Sequence, residues 1–297
     1  MSRCFSILTF KVTLLVALAA SSHVDKARAA SLHDLKDSTG QTVRVPAEPK
    51  RILSLCTSAT DTILRLGEGV RLAGIDEYSR VVPGATNLAV LGKGSAISRE
   101  QVLARQIDLA FIWWFQDDVA QLLADLRVPV VKLRCGRAAE VRATIRLVGQ
   151  CLGTTNAAEA LAQSLAEKLA ELTRADTSGP PRVYLELYSP FKTSGRDSYL
   201  NDLIELAGGR NIAADATGSI LISSEQLLAA DPQCVVLLKG FGTPEQFARR
   251  GGLESLSAVK TGRVHVLDRY CLVAGAGLPE GVAALRRLLN LTPPTKP

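Results

Sequence analysis

The chain states one phrase twice. SREQVLARQIDLAFI (98–112) returns as SSEQLLAADPQCVVL (223–237), with Ser, Glu, Gln, Leu and Ala at matching places and an apolar run closing each. A phrase that repeats together with its surroundings points to a repeated structural unit. The surroundings do repeat. Pro49-Lys50-Arg51 opens the apolar run RILSL (51–55), and Pro180-Pro181-Arg182 opens VYLEL (183–187). LRLGEGVRLAGID (64–76) is answered by IELAGGRNIAAD (204–215).

Within each half, short apolar runs alternate with helical patterns. RLAGI (71–75), IDLAFIWW (107–114) and VPVVKL (128–133) read as strands of the first half, with helices over TDTILRLG (60–67) and DDVAQLLADL (117–126). RVYLEL (182–187), QCVVLL (233–238) and RVHVL (263–267) read as strands of the second, with a helix over 199–209. Such alternation is the pattern of a parallel-sheet α/β fold. DSTGQTVRVP (37–46) ahead of them reads as a small edge hairpin.

The middle breaks the alternation. Residues 137–175 keep helical periodicity with one interruption at GTTN (153–156), and Asn156 is the expected cap of a helix over 157–175. DTSGPP (176–181) ends it. The expected fold is therefore two pseudo-symmetric α/β lobes joined by one long interlobe helix. The expected boundaries are a signal peptide over 1–29, a first lobe over 30–136, an interlobe segment over 137–176 and a second lobe over 177–297.

The first residues have the form of an export signal. Arg3 and Lys11 flank VTLLVALAA (12–20), and Ala27-Arg28-Ala29 offers a small-residue cleavage site. Cys4 precedes the apolar segment, so no lipid-anchored cysteine is expected. The apolar segment is too short to be a membrane span of its own. Loss of residues 1–29 removes four basic residues and one acidic, taking the net charge from +6 to +3. The remaining Lys and Arg are scattered, so the chain lacks the basic stripe of a nucleic-acid binder. Five cysteines would remain, at least one of them unpaired, with Cys135–Cys151 as a candidate bridge.

The repeated phrase has an immediate local explanation. Ser98 with Gln101, and Ser223 with Gln226, fit the S-x-x-Q capping box. Glu100 and Glu225 then sit in the first turn, where a carboxylate favours the helix dipole. A second explanation comes from the whole set of blocks. PKRILSLCTSATDTILRLGEGVRLAGID, SREQVLARQIDLAFI, SGRDSYLNDLIELAGGRNIAAD, SSEQLLAADPQCVVL and LSAVKTGRVHVLD stand together in a telling order. Over about residues 45–290 the chain resembles the periplasmic substrate-binding proteins of ABC importers for ferric siderophores, haem and cobalamin. That resemblance implies two α/β lobes bridged by a rigid helix, with a ligand cleft between the lobes. It also implies a homodimeric permease, with its ATPase, onto which a glutamate from each lobe docks. Glu100 and Glu225 stand at the matching positions. The resemblance further implies a monomer in the periplasm that captures a small-molecule metal chelate and needs no cofactor.

Loops at the carboxyl ends of parallel strands form the sites of such lobes. Here those loops hold both tryptophans, Tyr78, Phe115, Tyr188, Phe191, Phe241 and Tyr270, a marked concentration in a chain only 5% aromatic. Aromatic walls suit a large, partly apolar ligand. The expected ligand contacts are Tyr78, Arg80, Trp113, Trp114, Phe191, Lys192, Arg196, Phe241 and Tyr270, and Lys239 and Arg269 lie beside them. The resemblance places Tyr78 and Phe191 where cobalamin-binding relatives touch ligand. In the last loop it departs from them, with LVAGAG (272–277) in place of charged contacts, which favours a ferric siderophore over cobalamin or haem. A protein-held metal ion is not expected, since the sequence has only three histidines, His23, His33 and His265. Nor is catalysis: the chain lacks a G-x-S-x-G elbow, a P-loop and a strand-borne G-x-G-x-x-G. A chelatase-like enzyme on a similar frame is the alternative from another class.

Overall fold

A computed structural model describes residues 31–173 and 179–289. The signal segment expected over 1–29 lies outside the described residues. An antiparallel hairpin of β1 (Leu32–Lys36) and β2 (Thr42–Pro46) comes first. The first lobe is then built from β3 (Ile52–Ser54), α1 (Thr57–Arg65), β4 (Leu72–Asp76), β5 (Val90–Lys93) and β6 (Ala96–Ile97). It continues through α2 (Arg99–Ala104), β7 (Leu109–Trp113), α3 (Asp117–Asp125) and β8 (Val130–Leu133). Two helices follow, α4 (Val141–Leu152) and α5 (Thr155–Leu172). The second lobe contains β9 (Arg182–Glu186), β10 (Lys192–Ser194), α6 (Tyr199–Leu206), β11 (Arg210–Asn211), β12 (Ser219–Leu221) and α7 (Ser224–Ala230). It closes with β13 (Cys234–Leu238), α8 (Pro244–Ala248), α9 (Ser257–Lys260), β14 (Val264–Leu267) and α10 (Leu278–Leu288).

The repeat seen in the sequence is a repeat of topology. The first sheet runs β6-β5-β4-β3-β7-β8, parallel except for the β5–β6 edge. The second runs β11-β9-β13-β14, parallel throughout. Within the first, the stretch β4-β3-β7-β8 has the same second-first-third-fourth order as the whole of the second. Helix α2 feeds the third strand of one unit, and α7 feeds the third strand of the other.

The apolar runs read as strands because each is buried on both faces, as parallel strands between helical layers must be. Successive side chains alternate between two cores. Ile52 and Phe111 face a large central core, while Leu53, Ala110 and Ile112 face the outer layer of the first lobe. Leu185 and Val236 face the same central core, and Tyr184, Val235 and Leu237 face the outer layer of the second lobe. The central core is shared by both lobes. Between the sheets it is filled by Ala158, Ala162 and Leu165 of α5, by Ile145 and Val148 of α4, and by Val282 and Leu285 of α10. Helix α5 packs on α4 and α10, and α4 packs on α1. At 18 residues, α5 spans about 27 Å, enough to cross a small domain. Its start differs from the expected one. The helix begins at Thr155 with Thr154 as its cap residue, so Asn156 is already helical.

Two polar connections complete the join. Arg137, at the entry to α4, donates to both carboxylate oxygens of Asp202 on α6 at 2.6 and 2.9 Å, and the Ala138 N–H reaches the same carboxylate at 2.8 Å. Deeper in, the Asp61 carboxylate of α1 is 1% exposed. It accepts from the Tyr270 hydroxyl at 2.7 Å, the Gly277 N–H at 2.9 Å and Arg65 Nε at 3.1 Å. Arg65 in turn donates to the Tyr270 oxygen at 2.7 Å and to Glu280 at 3.1 Å. The segment LVAGAG must be small to admit this group. A Cβ at Gly275 would lie 2.6 Å from Asp61 Oδ2, and one at Gly277 would lie 2.1 Å from the Tyr270 oxygen.

Removing the carboxylate leaves Arg65 and two further donors without their shared acceptor. Asp61→Ala is expected to lower unfolding stability by about 3 kcal/mol, the scale for breaking a buried ion pair. Urea unfolding followed by tryptophan fluorescence measures this, and a loss below about 0.5 kcal/mol, the scale of an exposed pair, would show that the group contributes little.

Candidate functional site

A ligand site in an open parallel sheet lies beyond the carboxyl ends of the strands, where the strand order reverses. In both lobes that point falls between the first and third strands of the shared order. It is marked in the first lobe by the ends of β3 and β7, and in the second by the ends of β9 and β13. The residues just past those ends are Cys56, Trp114 and Phe115, then Tyr188, Lys239 and Phe241.

The second-lobe group is the most defined. Tyr188 and Phe241 are both exposed and meet edge to face, with centroids 5.1 Å apart at 79°. Arg269, from the short 3-10 turn after β14, lies with its guanidinium carbon 5.4 Å from the Phe241 ring centre and 5.8 Å from that of Tyr188. Its Nε is covered and has no hydrogen-bond partner among the described residues. A half-buried guanidinium held by two rings, rather than by a carboxylate, keeps its charge for another acceptor. Lys239 beside it is spent on an exposed pair with Asp268 at 3.6 Å.

From the first lobe, Tyr78 comes close to this group. The buried Asp76 carboxylate caps a 3-10 turn over Glu77–Val81 by accepting from the Ser79 N–H at 2.9 Å, and the turn presents Tyr78 outward, 46% exposed. Burial raises the Tyr188 phenol above its ordinary range; Arg269 opposes the rise and the nearby Tyr78 phenol adds to it. Tyr78 of the first lobe therefore lies within electrostatic range of Tyr188, which groups with Phe241 and Arg269 in the second. Arg80 on the same turn is exposed and lies 3.8 Å from Glu77.

The other expected contacts are placed differently. Gln116 fixes the turn after β7 by accepting from the Trp113 N–H at 2.9 Å and donating to the Gly94 carbonyl at 3.1 Å. Trp113 packs on the central core, Trp114 sits under Arg134 at 5.5 Å, and Phe115 is the outermost of the three rings at 63% exposed. Phe191 adopts left-handed backbone geometry (φ 63) that a bulky residue holds only under constraint. The constraint is visible: its N–H donates to Glu186 at 2.8 Å, and Arg250 clasps that carboxylate at 2.6 and 2.9 Å while lying over the Phe191 ring. Lys192 lies in β10, paired in register with Leu221 of β12. Arg196 donates to the carbonyl of Asp215 at 2.8 Å. The Tyr270 hydroxyl is committed to Asp61 and Arg65 between the lobes, and burial followed by the Asp61 charge raises its pKa, keeping it a donor. Tyr188 and Arg269 thus group with Phe241, and Tyr270 belongs to the interlobe group.

The repeated phrase forms two exposed helix starts. Ser98 Oγ accepts from the Gln101 N–H at 3.2 Å and donates to Glu100 at 3.1 Å. Ser223 and Gln226 make the full reciprocal box, at 3.1 and 2.8 Å. Glu100 and Glu225 are fully exposed. The backbone N–H and the Ser98 hydroxyl hold Glu100 below the usual carboxylate range, and the Ser223 hydroxyl and the backbone N–H do the same for Glu225. Each lobe therefore offers one ionised carboxylate at the same point of its topology.

Among the described residues, no group of three or more His, Cys, Asp or Glu is placed to hold a metal ion. No helix among them is long and apolar enough to cross a membrane.

Known proteins match this arrangement. The chain is 26% identical over 267 residues to an ABC transporter substrate-binding lipoprotein of Bacillus subtilis, covering 84% of this chain and 83% of that one. It is 27% identical over 201 residues to the vitamin B12-binding protein of Pectobacterium atrosepticum, covering 64% and 72% of the two. Among solved structures, the ligand-free periplasmic haem-binding protein of Roseiflexus superposes with a TM-score of 0.74 at 25% identity, covering 81% of this chain and 97% of that one. Residues 52–270, most of the chain, match the family described as periplasmic binding protein. The chain belongs to that periplasmic binding protein family.

Proposed function

We propose that this chain is the substrate-binding component of an ABC importer and that it captures a large metal chelate with a flat face and a negative edge. The observation that carries the reading is the group formed by Tyr188, Phe241 and Arg269, with Tyr78 of the other lobe near it. Its rings offer a surface for a planar ligand, and the Arg269 Nε has no acceptor among the described residues. A tetrapyrrole of the haem or cobalamin class suits such a cleft, and relatives named for both support it.

The sequence-based preference for a ferric siderophore rested on the bland LVAGAG segment. That segment is small because Asp61 and Tyr270 occupy its space, so its composition does not discriminate among ligands. The Arg269 group keeps a siderophore as the second reading, because catecholate iron complexes are both aromatic and anionic.

The chain supplies capture, not chemistry. The shared central core and the Asp61 group hold the lobes in a fixed relation, so binding is expected to need little closure. The loaded protein then presents Glu100 and Glu225, one per lobe, to a homodimeric permease in the periplasm. A partner with two-fold symmetry requires the same charge twice.

Titration of the purified protein with haemin, cobalamin and a ferric catecholate, followed by quenching of Trp113 and Trp114, tests the ligand class. Saturable quenching by one of them is expected, and Arg269→Ala is expected to weaken that binding by at least about tenfold, the scale of one lost charge-assisted contact. Equal affinity in Arg269→Ala and in Tyr188→Ala would move the site elsewhere. For docking, Glu100→Arg and Glu225→Arg are each expected to leave the dissociation constant unchanged and abolish uptake in cells; weakened ligand binding by the isolated variants would refute that role.

A further inference from the structure

Cys56 and Cys135 lie in sulfur–sulfur contact at 3.8 Å, although the residues are 79 apart in sequence. Cys56 is the cap residue of α1, directly beyond β3, and Cys135 lies directly beyond β8. Both are free thiols, and both are almost completely buried. The topology explains the meeting. Strands β3 and β8 flank β7 in the sheet, so two loops leaving the same sheet end converge over it. Hydroxyl hydrogen bonds fix one side of the pair: Ser54 donates to the Cys56 carbonyl at 3.1 Å and bonds Thr60 at 2.8 Å. Cys151, the candidate partner in the sequence, makes no sulfur contact with Cys135 among the described residues; neither Cys234 nor Cys271 contacts another sulfur there.

We propose that Cys56 and Cys135 are joined by a disulfide when the chain folds in the presence of a disulfide oxidant, as an exported chain does. Closing from 3.8 Å to a bond of about 2.05 Å needs the sulfurs to approach by about 1.75 Å, a change within reach of side-chain rotation. The chemistry is two exchange steps. One cysteine thiolate attacks the oxidant's disulfide and releases one of its sulfurs as a thiol. The second cysteine thiolate attacks the mixed disulfide, forms the Cys56–Cys135 bond and releases the other sulfur as a thiol. Two electrons pass to the oxidant, and the two cysteine protons end on the released thiols. Because both sulfurs are covered in the folded chain, exchange occurs during folding.

The bond has a defined structural effect. It ties the head of α1, the helix that carries Asp61, to the residue before Gly136 and Arg137, where the chain enters the helical layer between the lobes. It closes a long loop, the case in which a crosslink constrains the unfolded chain most. This inference rests on export of the chain and not on the identity of the ligand.

The test is disulfide mapping of the full chain. Reduced, denatured protein is refolded in a glutathione redox buffer, quenched with acid, alkylated, digested and analysed by mass spectrometry. The expected result is a linked peptide pair holding Cys56 and Cys135, lighter by two hydrogens than the free-thiol peptides, with Cys151, Cys234, Cys271 and, where residues 1–29 are retained, Cys4 alkylated. The oxidised protein is also expected to melt about 5–10 °C above the reduced protein, a gain that both Cys56→Ser and Cys135→Ser abolish. Refolded protein with both thiols alkylated, or with either cysteine paired elsewhere, overturns the proposal. A bond that forms on refolding, but is missing from protein recovered from the cell envelope, overturns the assignment to an exported chain rather than the pairing.

Discussion

One buried carboxylate governs how the two lobes meet. Asp61 sits on the first-lobe helix α1, yet two of its three donors, the Tyr270 hydroxyl and the Gly277 N–H, come from the end of the second lobe. A carboxylate this deep is costly unless charge and hydrogen bonds compensate it. Arg65 supplies the charge, and the second lobe supplies the remaining bonds. The requirement runs both ways, because Gly275 and Gly277 have no room for a side chain with Asp61 and Tyr270 in place. Around this point the apolar residues of α1, α4, α5, α6 and α10 form a core that neither lobe completes alone. The lobes are thus two sheets on one helical layer, and the cleft between them is shaped before any ligand arrives.

The duplicated strand order then determines where function is placed. Reversal of strand order opens one loop cluster per lobe, and the proposed ligand site draws residues from both. Duplication does not make their contents equal. The first lobe contributes Tyr78 from a turn held by Asp76, whereas the second contributes the paired rings of Tyr188 and Phe241 with Arg269 against them. Symmetry is kept instead on the outer surface, where Glu100 and Glu225 occupy matching helix starts. Under the proposed function, the asymmetric cleft would meet the ligand and the matched carboxylates would meet a two-fold partner.

Much of this was legible in the sequence, for identifiable reasons. RILSL, VYLEL and QCVVLL stand out because strands buried on both faces are continuously apolar. The capping phrases stand out because Ser and Gln act within one helical turn. What stayed hidden depends on distant partners. Asp61 and Gly277 are 216 residues apart, and nothing local in LVAGAG announces a bond to a carboxylate. Tyr270 reads as a cleft phenol until its partners are seen. Cys135 lies closer in sequence to Cys151, but the sheet order delivers it to Cys56. Strand β5 and the edge strand β6 escaped notice because they are short and only partly covered, so they carry no apolar run.

The central claim is that the lobes are held in one relation without ligand. Spin labels at Asp118→Cys on α3 and Glu254→Cys beyond α8, both exposed and in different lobes, would measure it by electron–electron double resonance, with Cys271→Ser removing the half-buried native thiol. A single distance peak no wider than the label's own rotamer spread is the predicted result. A broad or two-peaked distribution in the ligand-free protein would contradict the account, because the shared core and the Asp61 group would then fail to fix the cleft.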